Sequence, residues 1–289
     1  MDCYGRLINI EHGNICVKIS GTSDNVMVLL HGGGIASPVL ELEPLANLLE
    51  KDYTVVIIEY FGYGFSDKTD RPRTIENITS EIHDVLQELG YTKYFLMAHS
   101  ISGVYSLYYT NRYKDEVLAF VGIDISVPRQ NEFFNTAKIN LTIAHMKRFL
   151  NTVGVTGIIL KLFPNILAKD AYGNKRSNED TKILKKLYKN SANHTVIDEL
   201  KNSTANFSKT AGMTFPKSVP VLLFLASDTC KQIKQWHMLH DEIIENKQKS
   251  KIITLTGSHF LYRAYAKEIV DSFSDFINIP AGIAQQSDT

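Results

Sequence analysis

The run Leu96-Met97-Ala98-His99-Ser100-Ile101-Ser102-Gly103 joins an apolar, strand-like stretch (Tyr94-Phe95-Leu96-Met97) directly to a helix-like stretch beginning at Gly103. A serine on so tight a strand-to-helix turn is forced into a strained backbone conformation with its hydroxyl pointing outward. The amide of the next residue and the positive end of the helix dipole both face the place where negative charge would develop on an attacked carbonyl. This is the pattern of a nucleophile elbow, and it makes Ser100 the candidate nucleophile. The pattern departs from G-x-S-x-G at two positions, where Ala98 and Ser102 stand in place of glycine. Both are small, and Gly103 follows at once, so strand and helix can still approach. Taken alone, the segment reads equally well as a serine capping an ordinary helix.

A second element upstream bears on that choice. Val26-Met27-Val28-Leu29-Leu30 is a continuous apolar run, as expected of a strand buried on both faces, and it ends in His31-Gly32-Gly33-Gly34. Glycines just past a central strand let backbone N–H groups approach a ligand with no Cβ in the way. A loop of this type supplies the second oxyanion donor in serine hydrolases, the first being the amide after the nucleophile. The expected donors are therefore Ile101 and Gly33, with Gly34 as the neighbouring alternative. A further strand, Tyr53 to Ile58, runs into Glu59-Tyr60-Phe61-Gly62-Tyr63-Gly64-Phe65-Ser66-Asp67.

In order, strand-HGGG, helix, strand-FGYGFSD, helix and strand-AHSISG, the chain resembles the α/β-hydrolase fold family. Within that family it resembles the branch of proline iminopeptidases, haloalkane dehalogenases, epoxide hydrolases and small bacterial serine esterases. The resemblance covers roughly residues 7–128 and 218–278. It implies a histidine base on the loop after the last strand. His259, in Thr256-Gly257-Ser258-His259-Phe260, directly follows the apolar run Ile252 to Leu255. His237 and His240 lie inside a helical pattern from Gln235 to Ile244 and read as surface or packing residues. His99 reads as a packing neighbour of the elbow, and His31 as a residue that holds the glycine loop in shape.

The resemblance also implies an acid that accepts the other ring N–H of the histidine and stabilises the imidazolium. Its expected place is just past the strand Val221 to Leu225, where relatives often carry G-x-x-D. Laying Ala226 on that glycine puts Thr229 on the aspartate, and Asp228 falls one residue earlier. Asp228 is therefore the first candidate. Asp124, in Gly122-Ile123-Asp124-Ile125-Ser126-Val127-Pro128, is the alternative, because some dehalogenase-like relatives carry their acid after the sixth strand.

The elements that must position these residues alternate along the chain. Edge strands are expected near 7–10 and 15–19, joined by the turn signal Glu11-His12-Gly13-Asn14. Helices are expected over 40–50, 75–89 and 103–113, with buried strands at 117–123, 219–225 and 252–255 and a last helix near 264–277. Such alternation implies a mostly parallel sheet with helices on both faces. After Pro128 the rhythm changes, and residues 129–217 show only helical patterns and polar breaks such as Asp170-Ala171-Tyr172-Gly173-Asn174. The expected division is a core domain of 1–128 and 218–289 with an all-helical cap domain, 129–217, inserted after the sixth strand. The tail 281–289 is polar and is expected to fray.

Bulk properties fit one large domain with an insertion: 289 residues, 44% of them hydrophobic. Formal net charge is zero, so nothing global points to nucleic acid. The cap is lopsided, with 15 Lys+Arg against 6 Asp+Glu, which leaves +9 there and −9 on the rest. That excess is either a solvated helix face or an attraction for an anionic substrate or an anionic lipid surface. Three cysteines (Cys3, Cys16, Cys230) without CxxC spacing argue against a disulfide framework or a zinc site and suit a reducing cytoplasm. The start, Met1-Asp2-Cys3-Tyr4-Gly5-Arg6, lacks the basic and apolar regions of a signal peptide. No apolar run approaches the ~18 residues of a membrane helix.

Ser100 at the elbow excludes the aspartate-nucleophile chemistry of epoxide hydrolases and haloalkane dehalogenases. The expected reaction is cleavage of a carboxylic ester through an acyl-enzyme, with a small or medium, apolar acyl group and no cofactor or metal. Phe133, Phe134, Ile139, Leu141, Ile143, Phe149, Leu150, Ile158, Ile159, Leu160 and Phe163 of the cap are available to roof an apolar pocket or to pack cap helices together. The alternatives are a proline iminopeptidase-like aminopeptidase, which needs carboxylates for a substrate ammonium, and a non-catalytic ligand-binding homologue.

Overall fold

The computed structural model describes residues 4–170 and 173–278. The polar tail 281–289 and part of the break at 170–174 lie outside the described residues. Eight strands form one sheet: β1 (Arg6–Ile10), β2 (Gly13–Ser20), β3 (Val26–Leu30), β4 (Thr54–Ile58), β5 (Tyr94–His99), β6 (Val117–Ile123), β7 (Val221–Ala226) and β8 (Ser250–Leu255). Their spatial order is β1-β2-β4-β3-β5-β6-β7-β8. β1 and β2 pair antiparallel, as do β2 and β4, and every later pairing is parallel.

The period-two geometry of a strand sends successive residues to opposite faces, and each face has its own core. Val28, Leu30, Val56, Ile58, Leu96 and Ala98 pack with Ile78, Ile82 and Val85 of α2 (Ile75–Glu88) and Val104 and Leu107 of α3 (Ser102–Arg112). Met27, Leu29, Val55, Ile57 and Met97 point the other way, onto Leu42, Leu45 and Leu49 of α1 (Pro38–Leu49) and Ile269 and Phe273 of α10 (Tyr262–Asn278). Because both faces are covered, β3 and β4 are buried at every residue. Continuous apolar runs are therefore the correct signature for these strands. α1 begins at Pro38 with Ser37 as its N-cap, the Ser-Pro start signal that precedes the helical pattern of 40–50.

Between β6 and β7 the chain is helical: α4 (Ala137–Thr152), α5 (Val155–Leu162), α6 (Asn178–Tyr188) and α7 (His194–Lys209). Among the described residues of 129–217 no strand forms; two isolated bridges, Lys169–Lys175 and Phe215–Ile244, are the nearest approach. α7 is tied to the loop between β4 and α2. Asn193 Nδ2 donates to Gly62 O (2.7 Å), Arg73 N–H to Asp198 Oδ2 (2.8 Å) and Ile75 N–H to Asn206 Oδ1 (2.8 Å). α4 packs on α7 and carries α5 beyond it. The sequence reading missed a short helix, α8 (Ser227–Gln232), which starts without a break at the end of β7, ahead of α9 (Trp236–Glu242). That missed helix redirects Asp228.

Candidate active site

Ser100 sits between β5 and α3 at φ 56°, a left-handed conformation that a non-glycine residue adopts only where its surroundings hold it there. Its surroundings are unusually close. The Ser100 carbonyl accepts from both Gly103 N–H (2.9 Å) and Ser126 N–H (2.8 Å), which ties the turn to the loop after β6. A Cβ on Gly103 would lie 2.4 Å from Ile125 Cβ and 2.7 Å from Ser126 O, so only glycine permits that approach. A Cβ on Gly32 would meet His99 Nδ1 at 2.7 Å and Ser100 Cβ at 3.1 Å. Two glycines outside the G-x-S-x-G frame thus supply the room that the frame's own glycines would give. The hydroxyl of Ser102, which stands at one frame position, bonds to Tyr60 Oη (2.7 Å) and donates to His31 O.

His259 reaches Ser100 from the loop after β8. Its Nε2 lies 2.9 Å from Ser100 Oγ and its Nδ1 2.7 Å from Asp124 Oδ2. A carboxylate only accepts, so Nδ1 carries the proton there and Nε2 is left to accept from the serine hydroxyl. Behind it, His99 Nε2 lies 3.2 Å from the His259 carbonyl oxygen, and the two imidazole centroids are 4.6 Å apart. Burial holds His99 well below the ordinary histidine range. His99 therefore does more than pack: it steadies the backbone of the His259 loop.

Asp124, and not Asp228, meets His259. Asp124 ends β6 at φ 42° and is fully buried, and its two oxygens collect four hydrogen bonds. Oδ1 accepts from Trp236 Nε1 (2.8 Å) and Ala226 N–H (3.0 Å), and Oδ2 accepts from Thr229 Oγ1 (2.7 Å) and His259 Nδ1 (2.7 Å). Burial pushes this carboxyl up, but hydrogen bonds and charge from His259, with those from Ala226 and Thr229, outweigh it and hold the group below its ordinary value. Asp228 belongs to the first turn of α8, where its half-exposed side chain stands on the cavity wall apart from His259 and pairs with Lys231 Nζ at 3.1 Å. The preference for Asp228 is corrected on this geometry. A loop shift could have rescued it only if β7 ended in a loop, and β7 ends in a helix. Thr229, at the place where the family's aspartate was expected, donates to the same carboxylate oxygen that His259 meets.

The glycine loop is held as expected. His31 is fully buried; its Nδ1 donates to Gly32 O (2.8 Å) and its Nε2 accepts from Tyr60 N–H (3.3 Å). Burial lowers its pKa to about 4, so the ring is neutral, as one donor and one acceptor require. The Gly34 N–H is spent on Tyr63 Oη at 3.4 Å. Among the described residues neither the Gly33 nor the Ile101 N–H meets an acceptor, and the space at Gly33 opens toward Ile101 Cγ2. Ile101 begins α3 with no side-chain cap, leaving the helix N-terminus bare beside Ser100.

A cavity of about 690 Å³ opens over these groups. Of the aromatics and aliphatics of 129–217 that were available either to roof a pocket or to pack helices together, Phe134 and Ile143 line it. Further apolar lining comes from Ala144 of α4, Val196 and Phe207 of α7, and Ile233 and Trp236 beyond β7. Polar groups share the wall, including Lys147 and Glu199. Glu199 is buried, and each carboxylate oxygen accepts a tyrosine hydroxyl, from Tyr63 and Tyr105, both at 2.9 Å. Burial raises its pKa, and the charge of Arg73 only partly offsets the rise. His240, expected at the surface or in packing, is buried, with Nδ1 2.7 Å from Trp236 O and Nε2 3.0 Å from Ile125 O, next to Asp124. His237 is exposed. Among the described residues no group of three or more His, Cys, Asp or Glu is arranged to hold a metal ion.

Residues 25–152 match the family model described as alpha/beta hydrolase fold. The uncharacterized protein YbdG of Bacillus subtilis (strain 168) is 24% identical over 281 residues, 94% of this chain and 85% of that protein. A 2-(acetamidomethylene)succinate hydrolase of Mesorhizobium japonicum is 24% identical over 163 residues, covering 56% of this chain and 57% of the relative. Among solved structures, an epoxide hydrolase variant from Vigna radiata superposes with TM-score 0.71 at 17% identity, over 94% of this chain and 97% of that one. A haloalkane dehalogenase loop variant from Bradyrhizobium elkanii does so with TM-score 0.65 at 17% identity, over 94% and 95%.

Proposed function

We propose that this chain, which belongs to the α/β-hydrolase fold family, is a serine hydrolase that cleaves a carboxylic ester through an acyl-enzyme. The observation that carries the reading is the relay Ser100 Oγ–His259 Nε2 (2.9 Å), His259 Nδ1–Asp124 Oδ2 (2.7 Å), at the floor of a cavity large enough for a small or medium acyl group. Ser100 Oγ attacks the carbonyl carbon as its proton passes to His259 Nε2, and Asp124 stabilises the imidazolium without taking the proton. The carbonyl oxygen, now an oxyanion, is met by the N–H groups of Ile101 and Gly33 and by the N-terminus of α3. Collapse expels the alcohol, which leaves with the proton from His259. A water activated by the same ring then releases the acid and frees Ser100.

The name of the Mesorhizobium relative supports hydrolysis as the reaction class. The aspartate-nucleophile chemistry of epoxide hydrolases is unavailable to a chain with serine at the elbow, despite the shared fold with the Vigna structure. An aminopeptidase needs a carboxylate free for a substrate ammonium. Glu199 lies in the cavity wall but both its oxygens serve tyrosines, and Asp228 pairs with Lys231, which favours the ester reading. The helical segment 129–217 acts in this reading as the cap, with α7 as its fixed stem.

Labelling by a fluorophosphonate tests the activated serine, and p-nitrophenyl esters graded in acyl length, beside proline-β-naphthylamide, test the substrate class. Wild type is expected to label and to turn over esters, and Ser100→Ala to lose both. Labelling retained in Ser100→Ala, or release from the proline substrate in preference to every ester, would overturn the reading.

A further inference from the structure

We propose that the outer face of the cap docks on an anionic lipid bilayer and opens the cavity toward it. On α4, Ile139, Ile143, Met146, Phe149 and Val153 recur at helical spacing along one side, and every one is 50–63% exposed. Past α4 the surface continues through Ile158, Leu162, Phe163 and Ile166, each 58–68% exposed. So many exposed large apolar side chains in one segment are unusual on a protein that meets only water. α4 packs on α7 with Ala144 as its buried residue, and among the described residues these five side chains remain exposed.

Charge selects the occupant. From Phe133 to Lys169 the chain has five Lys or Arg and no Asp or Glu. Lys138, Arg148, Lys161 and Lys169 are exposed around the apolar face. A second copy seated there would bring two such sets of cations together with no counter-charge, which disfavours self-association. An anionic leaflet satisfies both features at once: the apolar side chains enter the headgroup–acyl boundary and the cations meet lipid phosphates. Among the described residues no helix is long and apolar enough to cross the membrane, so the mode is lying on the surface.

The stripe is continuous with the site. Ile143 belongs to it and also lines the cavity that holds Ser100, and Phe134 does the same at the entrance to α4. Docking by this face would let an acyl chain pass from leaflet to cavity without crossing bulk water, a consequence that rests on the ester-hydrolase reading. The docking itself does not.

The test is co-sedimentation of the full chain with vesicles of phosphatidylcholine alone and with about 30% phosphatidylglycerol, at low and high salt. Binding is expected to be at least about tenfold tighter on the anionic vesicles and to weaken as salt rises, each lipid-facing cation contributing roughly a fivefold factor. Phe149→Glu/Ile158→Glu should lose more than about tenfold in vesicle binding, since it places charge at the apolar boundary. The same variant should keep the wild-type Tm and far-UV circular dichroism, which report that the fold is intact. Lys138→Gln/Arg148→Gln/Lys161→Gln should lose anionic selectivity with the apolar face unaltered.

Equal affinity for neutral and anionic vesicles, or no binding to either, would overturn the proposal. So would a wild-type dimer that Phe149→Glu dissolves without any vesicle binding, which would assign the face to a second copy. Because vesicle binding is read without turnover, loss of ester hydrolysis in Ser100→Ala leaves it unaffected. Failure of the catalytic reading is thereby distinguished from failure of this one.

Discussion

Asp124 Oδ2 lies 2.7 Å from His259 Nδ1, whereas Asp228, half-exposed on the cavity wall, pairs with Lys231. If the relay is the catalytic one, the two aspartates should differ sharply when each is changed to asparagine. Asp124→Asn should depress kcat by ~10⁴, because the amide stabilises the wrong imidazole tautomer, while KM changes little. Asp228→Asn should stay within about twofold of wild type, as expected for an exposed ion pair. Steady-state kinetics on one p-nitrophenyl ester decides the matter, and the reverse ranking would remove Asp124 from the relay.

Trp236 donates its indole N–H to the other oxygen of the same carboxylate, at 2.8 Å. It acts on the proton relay through Asp124 and also lines the cavity, so the pH profile, rather than KM, reports the first role. Trp236→Phe keeps most of the buried volume and removes one charge-assisted bond worth about 1.5–3 kcal/mol. A less stabilised carboxylate is more basic and holds the imidazolium proton more firmly, so the acid limb of the kcat profile should move to higher pH. A purely structural role would lower Tm and leave that limb where it is.

The Gly33 N–H is the candidate second oxyanion donor. Gly33→Pro removes it and should cut kcat by ~10²–10³. Gly33→Ala is the matched control. A Cβ there meets only Ile101 Cγ2, at 3.6 Å, and the N–H remains, so activity should hold. Equal activity of the two variants would exclude this donor.

Acid stability should depend on buried histidines. Burial lowers both His31 and His240 from 6.5 to about 4, so between those values the unfolded chain binds protons that the folded chain refuses. Stability is complete above pH 6.5 and is lost as pH falls toward 4, by up to about 3 kcal/mol per histidine. Glu59 and Glu199, raised by burial, oppose this slope because the folded state takes up their protons first. A His240→Gln variant isolates one histidine. Its Tm should fall less steeply than that of wild type between pH 6.5 and 4.5, and parallel curves would contradict the assignment.

Local pattern was enough to determine much of this protein. Both-face burial writes itself as unbroken apolar runs, so Val26 to Leu30 and Val117 to Ile123 were legible as central strands, and the order of motifs around them carried the fold. Ser100 and His259 were legible because each sits at the end of a readable strand, where the chain must turn and the side chain must face outward. The helical character of 129–217 was legible too, from the absence of strand-like runs.

Tertiary structure alone decided which carboxylate meets His259, what lines the cavity and what supports the turn at Ser100. Asp124 and Asp228 both follow strands, and which carboxylate meets the imidazole depends on something no local pattern records: whether β7 passes into a loop or straight into α8. The partners that fix Asp124 come from Ala226, Thr229 and Trp236, more than 100 residues away in sequence. Which apolar residues of 129–217 line the cavity stayed open in the sequence for the same reason. Hydrophobicity marks Phe149 and Ile158 as strongly as Val196 and Phe207, but only the packing of α4 on α7 decides which of them face the cavity and which face outward. Gly32 and Gly103 show the point at its smallest scale. Their sequence positions fall outside the expected motif, and their necessity appears only where His99 and Ile125 come close enough to exclude a Cβ.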